Sequence, residues 1–448
     1  MKKFSLLLFI FLCLTTTVSA VDITGCTTIT TGGTYNLTQN ITYSSVAGDV
    51  SSNDCITVNT SGFIPVVEAD VVFLRCNGYT ITVNMQDQQQ NAFPTNGYAP
   101  IHIVNSPGTQ IINCKIVVNG GNTTAVGVYI ENTTNQLYPG GMIGGSVTGG
   151  GIECYKCSKF NFAAITITGG NLQIQEVGAS NPNWATTLII NNHITAKNTS
   201  NTGPPVGGTN IGQISLSSAL KPTGGYLTTS DYVISGNVLD GSWTENGPAY
   251  ASGTGISLVG PTQRFEIYNN TIFNDWGAGV ELINSHQNIS IHDNTITKFG
   301  IACFWVDWNI SLYDASFTNN TCDDTNLNAS LFTPDYPVFI LSQADTFLPV
   351  STIFWKNVTF TGNVYKSPYR ITHPDGVYDV MLDLTKFGGT VNVSGTNTWT
   401  NNTFSNNDRK AHTVKISPST LVSDGGGNKC NWVWTPLNPV PYPITCTQ

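Results

Sequence analysis

The chain has 448 residues, of which only 18 are Lys or Arg and 27 are Asp or Glu, so charged residues make up 10% where about a quarter is usual. With 40% hydrophobic and 10% aromatic residues it has ample material for a core, which excludes intrinsic disorder. A net charge of -9 without a clustered basic stretch excludes nucleic acid as a partner, because phosphate binding needs a basic surface.

Residues 1–20 read as an export signal: Lys2 and Lys3, an apolar run from Leu6 to Leu14, then Val18-Ser19-Ala20 with small residues at the cleavage position. The run is about ten residues long against the ~20 that cross a bilayer, and no later segment is longer, so neither a membrane span nor a lipid anchor is expected. Cleavage after Ala20 removes two lysines and Cys13, which takes the charge from -9 to -11 and leaves ten of the 11 cysteines. An even number in an exported chain points to disulfides. Cys26, Cys55, Cys76 and Cys114 cluster near the start, Cys303 and Cys322 lie about one repeat apart, and Cys430 and Cys446 close a Trp- and Pro-rich tail. Cys154 and Cys157 have the spacing of a redox dithiol, but that chemistry wants the first cysteine at a helix N-terminus and nothing helical follows. Fourteen Asn-x-Ser/Thr sequons, among them Asn36, Asn122, Asn269, Asn309 and Asn401, fit a secreted glycoprotein.

Internal repetition governs the rest of the chain. Phe265 to Ile272, Asn288 to Ile296 and Asn309 to Phe317 carry one pattern, and Leu188 to Ile194, Tyr232 to Leu239 and Ile353 to Phe360 repeat it at longer intervals. A second set of motifs lies between them, starting at Gly127, Gly151, Gly255, Gly279 and Gly300. A unit of about 21 to 24 residues holding three short alternating strands cannot bury its apolar side alone, so it must stack on copies of itself. Leucine-rich repeats share the period but need a regular leucine frame and a helix, and this sequence has neither. The asparagine at the bend between two strands, seen at Asn192, Asn237, Asn270 and Asn294, tolerates a left-handed backbone and can bond to its counterpart one rung away.

With this asparagine ladder, and with an opening that runs from Cys26-Thr-Thr-Ile through Gly33-Thr-Tyr-Asn-Leu37 to Cys76-Asn-Gly-Tyr-Thr-Ile81, the chain resembles the right-handed parallel β-helix proteins of the pectate-lyase-like superfamily. The resemblance implies an all-β solenoid of three-stranded coils over residues 46–405, an N-terminal cap over 21–45 and a C-terminal cap and tail over 406–448. It also implies that ligands lie along the first strand of each coil. Fold does not fix function here, because the architecture carries lyases, hydrolases, epimerases, adhesins and matrix proteins alike.

Period-two alternation along that first strand gives an outward column: His102, Tyr129, Glu153, Gln173, Ser215, Ser257, Glu281, Ala302 and Phe339. Glu153 and Glu281 are four rungs apart, roughly 19 Å, too far for a glycosidase pair. A partner must come from a turn, which makes Asp275 with Glu281 the first candidate catalytic set. His102, Tyr129 and Glu153 on successive rungs form the alternative acid-base set. Trp243, Tyr250, Trp276, Phe304 and Phe339 are the candidate sugar-stacking rings, with insertions over 198–212, 240–254 and 319–337 as groove walls. The Asp323-Asp324 pair resembles the catalytic aspartates of the polygalacturonase branch, but the other motifs of that branch are missing, and pectate-type chemistry lacks outward basic residues. His286 and His292 have no third ligand, so no metal is indicated, and Ca2+ has no supporting ligand set. The sequence therefore predicts a secreted, monomeric β-helix that acts on extracellular or cell-wall polysaccharide, by binding alone or with cleavage. A non-catalytic adhesin or matrix protein is the rival.

Overall fold

The computed structural model describes residues 20–430 except 48, 62–64, 66, 87–97, 121–124, 134–137, 177–185, 197–211, 219–227, 243–252, 276, 301, 308–310, 325–337, 344–351, 368–377, 384–389, 407–412 and 418. The export signal, the tail beyond Cys430, most of the three insertions, and Trp243, Tyr250, Trp276 and Ile301 thus lie outside the described residues.

Strands of two to ten residues pair in parallel from Val21 to Cys430. One strand of each coil joins a 13-stranded sheet, and the other two join a 26-stranded sheet. The two halves of the larger sheet are continuous where a single strand runs through the bend, as Gln110–Asn119, Gly140–Thr148 and Thr352–Thr361 do. Parallel returns of this kind take the right-handed sense, and the protein is a right-handed parallel β-helix. Among the described residues there is no α-helix, and no helix long and apolar enough to cross a membrane.

Alternation fills the interior. Ile256, Leu258, Val280 and Leu282 are at most 1% exposed, and the pairs Ile256–Val280, Ser257–Glu281 and Leu258–Leu282 sit in register on adjacent coils. Aliphatic side chains make up most of the interior, with rings such as Phe162, Tyr232 and Phe265 among them, and aromatic residues become more frequent beyond residue 300. Phe317, Phe360 and Trp399 stack at 4.8 and 4.6 Å between centroids.

The bend asparagines form a continuous ladder through Asn192, Asn237, Asn270, Asn294, Asn320, Asn363, Asn402 and Asn428, each at most 2% exposed. Their sequence separations are 45, 33, 24, 26, 43, 39 and 26, so insertions leave the ladder intact. The positive backbone angle expected of these asparagines belongs instead to the residue before each: Asn191, Gly236, Asn269, Asp293, Asn319, Gly362, Asn401 and Gly427 have φ between 53° and 71°. The reason is division of labour. One residue makes the turn, and the next lays its carboxamide into the interior where it bonds up and down the stack.

Where each coil enters the 13-stranded sheet, two consecutive residues point inward. A Cβ on Gly255 would lie 2.3 Å from Ile272, and one on Gly279 would lie 2.4 Å from Ile296. One coil on, Cys303 takes the place of Gly279 and Cys322 that of Ile296, and the two form a disulfide. On the next coil Phe339 and Tyr365 occupy the same two places, 6.0 Å apart. Cys26–Cys55 and Cys76–Cys114 staple the first coils. Cys154 and Cys157 are also disulfide-bonded, both at most 1% exposed inside the strand Gly151–Cys157.

Candidate functional site

The outward column of the 13-stranded sheet runs His102, Tyr129, Glu153, Gln173, Ser215, Ser257, Glu281 in register. From there the structure departs from the expected column. The residue beside Glu281 is Trp305, and the next is Leu341, not Ala302 and Phe339. The doubled inward position explains the shift: Cys303, and not Gly300, holds the place of Gly279, and Cys303 and Phe304 both point inward, so the outward residue comes three later than alternation from Gly300 places it. Phe304 and Phe339 are 1% and 0% exposed and pack edge to face at 5.5 Å, so both are core residues and not sugar platforms.

Asp275 and Glu281 flank the Thr254–Gly255 turn of the preceding coil. Asp275 ends the strand Thr271–Asp275 and is 1% exposed, with its carboxyl against the backbone of Gly241 and Gly255. Its two oxygens have no hydrogen-bond partner among the described residues, and the Gln213 carboxamide alongside is not aligned to bond. Complete burial holds this carboxyl well above the usual carboxylate range, and Asp240 nearby adds to the effect. Glu281 is 0% exposed on the outer side of its strand, where it accepts hydrogen bonds from Ser257 Oγ at 3.0 Å and Thr254 Oγ1 at 3.3 Å. The outward register is as expected; the complete burial is not, and the two hydroxyl bonds offset part of its cost.

The N-terminal end of the column is built differently. His102 lies on the strand Ile101–Val104 with Nδ1 2.8 Å from Asp54 Oδ2, and Asp54 Oδ1 accepts from the backbone of Ala99 at 2.9 Å. His102 Nε2 is 3.4 Å from Glu131 Oε1, close enough for charge attraction but not aligned as a hydrogen bond. The rings of Tyr98 and Tyr129 meet His102 edge to face at 6.0 and 5.5 Å, and Tyr129 and Tyr155 pack together with Ala99 and Val126. Burial by itself lowers the His102 pKa, but the bond to Asp54 and the proximity of Glu131 outweigh it and raise the value to about 9. Tyr129 is pushed upward by burial and then by Glu131 and Glu153, so its phenol stays protonated. The side chains of Asp54 and Glu131 keep 18% and 25% exposure, which leaves this cluster open to a ligand where Asp275 and Glu281 are sealed.

At neutral pH His102 is therefore an imidazolium between two carboxylates, and it cannot serve as a general base. Its linkage to stability has a definite sign. The folded pKa lies above the unfolded 6.5, so the stabilisation is fully present below pH 6.5 and is lost as pH rises to about 9. At 1.36 kcal/mol per unit this is about 3 kcal/mol. Thermal or urea unfolding between pH 6.5 and 9 should show that fall, and His102→Gln should flatten it. His286 has the opposite sign: buried against Thr262 Oγ1 at 2.6 Å, it is held neutral with a pKa of about 3, so stability from this group grows as pH rises from 3 to 6.5.

The alternation that places His102, Tyr129 and Glu153 in sequence also reaches Glu131, two residues beyond Tyr129. Asp54 carries no such signal, since it precedes its strand Ile56–Val58, and only the disulfide neighbour Cys55 marks the spot.

No protein-family profile and no curated protein matches the chain. Among solved structures it is similar to tailspike protein 3 of bacteriophage CBA120, at 10% identity and a TM-score of 0.42 over 88% of this chain. The chain spans only 56% of that tailspike's length. It is also similar to the A-module of a mannuronan C-5 epimerase from Azotobacter vinelandii, at 12% identity and a TM-score of 0.40, over 77% of this chain and 90% of that module. A GH87 alpha-1,3-glucanase from Streptomyces thermodiastaticus aligns at 12% identity and a TM-score of 0.28, over 93% of this chain and 63% of the enzyme unit. At these values the likenesses carry no activity across, and it is the chain's own parallel pairing, coil after coil, that makes it a right-handed parallel β-helix.

Proposed function

We propose that this protein is a secreted glycan-binding β-helix whose binding seat is the outer face of the 13-stranded sheet around His102, Tyr129, Glu131, Glu153 and Tyr155. The observation that supports this reading is the half-buried ring of Tyr155 on the same face as the partly exposed carboxylates of Asp54 and Glu131, with Tyr129 and Glu153 buried beneath, the pairing that sugar recognition uses: a ring against an apolar sugar face and charged acceptors for hydroxyls. The four described disulfides fit an extracellular setting. Retention of the protein without its signal on a panel of immobilised polysaccharides tests the reading. Tyr155→Ala, at a half-buried ring on the rim, should weaken retention by about tenfold, the equivalent of ~1.4 kcal/mol. Retention unchanged by Tyr155→Ala would place the seat elsewhere.

A second reading, hydrolysis by Asp275 and Glu281, draws on the Asp275 carboxyl, whose pKa burial raises, near a carboxyl that accepts two hydroxyl bonds, the unlike environments that acid-base pairs need. Release of reducing ends from the same panel, abolished by Glu281→Gln with binding retained, would establish it. Polysaccharide retention without released ends favours the non-catalytic binder.

A further inference from the structure

The charge and ring arrangement around His102 narrows the ligand class, on the footing that this cluster is the glycan seat. We infer that the seat takes a glycan bearing free amines, in preference to a neutral or a uronate polymer. Three observations converge on a cationic group.

First, the carboxyls outnumber the cations. Asp54, Glu131 and Glu153 face the patch with His102 and Lys156 as its basic groups, in a chain whose net charge is already -9. A polyuronate entering here meets a net excess of like charge. Second, the carboxylates are not equally engaged. Asp54 is taken up by the Ala99 backbone and His102 Nδ1, whereas Glu131 makes one unaligned ion pair to His102 Nε2 and no hydrogen bond among the described residues. Its carboxylate, on a side chain that is 25% exposed, is the acceptor left for an ammonium. Third, the patch already holds an ammonium. Lys156 Nζ lies 5.1 Å from the centroid of the Tyr155 ring, within cation-π range, on a side chain that is exposed. A ligand amine over the same ring would displace this lysine, which is therefore a competitor for the site and not part of the attraction.

Competition from Lys156 leaves a signature that a structural role would not produce. Isothermal titration with a glucosamine oligomer, its fully N-acetylated counterpart and a galacturonate oligomer should show binding of the first alone. Glu131→Gln should weaken the glucosamine oligomer by about tenfold, and Lys156→Gln should strengthen it several-fold. Glu266→Gln, at an exposed carboxylate on the other sheet, serves as the charge-matched control and should change nothing. Equal binding of the free and acetylated oligomers, or weaker binding in the Lys156 variant, would overturn the amine preference while leaving a glycan seat in place. If no oligomer binds but a polysaccharide of the panel is retained through Tyr155, the amine preference likewise fails alone. If nothing binds by either measurement, both readings fall together.

Discussion

Asn320→Ala is expected to lower the free energy of unfolding by about 3 to 4 kcal/mol, a large loss for a single polar substitution. Asn320 Nδ2 donates to Ile291 O at 2.9 Å and to Asn363 Oδ1 at 3.0 Å. Its Oδ1 accepts from the backbone and the side chain of Asn294 at 3.1 and 2.9 Å. Alanine removes all four bonds at a site that is 0% exposed, where no bulk water replaces them. The backbone N–H of Asn294 is then stranded in the interior, and a desolvated donor without a partner costs more than the lost bond contributed. The neighbouring Asn319 supplies the internal control. It is exposed and holds the turn at a φ of 54°, so Asn319→Gly should leave stability nearly unchanged and Asn319→Ala should cost only about 1 kcal/mol. Urea unfolding with equal slopes and well-separated midpoints is the expected measurement. Equal midpoints for the Asn320 and Asn319 alanine variants would show that the ladder does not hold the fold together.

How much of this is legible in the sequence depends on what each feature rests on. The ladder and the inward residues are legible because they repeat, and repetition reports a constraint common to every coil. The repeats name four bend asparagines and the structure has eight, since Asn320, Asn363, Asn402 and Asn428 bond in the same way across separations of up to 43 residues. The left-handed turn falls one residue earlier than the repeats suggest, because the motif holds asparagine in both places and composition alone does not divide their duties. The failure of alternation that misplaces the column is at the coil entrance. There an inward glycine, silent in a hydrophobic pattern, is replaced by Cys303 and then Phe339, so strict alternation puts Ala302 and Phe339 outward and misses Trp305. Site chemistry is less legible for a different reason. Register shows which face Glu281 occupies but not that Ser257 and Thr254 enclose it, and a column of single strands cannot show Asp54, which reaches His102 from the turn before its own strand.

The coil entrance also allows a larger stabilising change to be designed than any surface substitution would bring. Gly279 and Ile296 face each other across the interior in the positions that Cys303 and Cys322 occupy one coil later. Gly279→Ala alone should destabilise by about 2 kcal/mol, because its Cβ would stand 2.4 Å from Ile296 Cγ2 in a core with no slack. Combined with Ile296→Ala, much of that loss should return, giving a coupling free energy of opposite sign to the single effects. Replacing both by cysteine should go further. The natural bridge joins residues 19 apart in sequence, and the new one would close a loop of nearly that length, which in the chain-entropy account stabilises by about 3 kcal/mol under oxidising conditions. Thiol counting by mass spectrometry on the unfolded chain, with and without reductant, shows whether the bridge forms, and unfolding under both conditions shows its contribution. Two free thiols in the oxidised double variant would mean that residues 279 and 296 do not meet, and that the inward pairing inferred from coil to coil stops at Cys303.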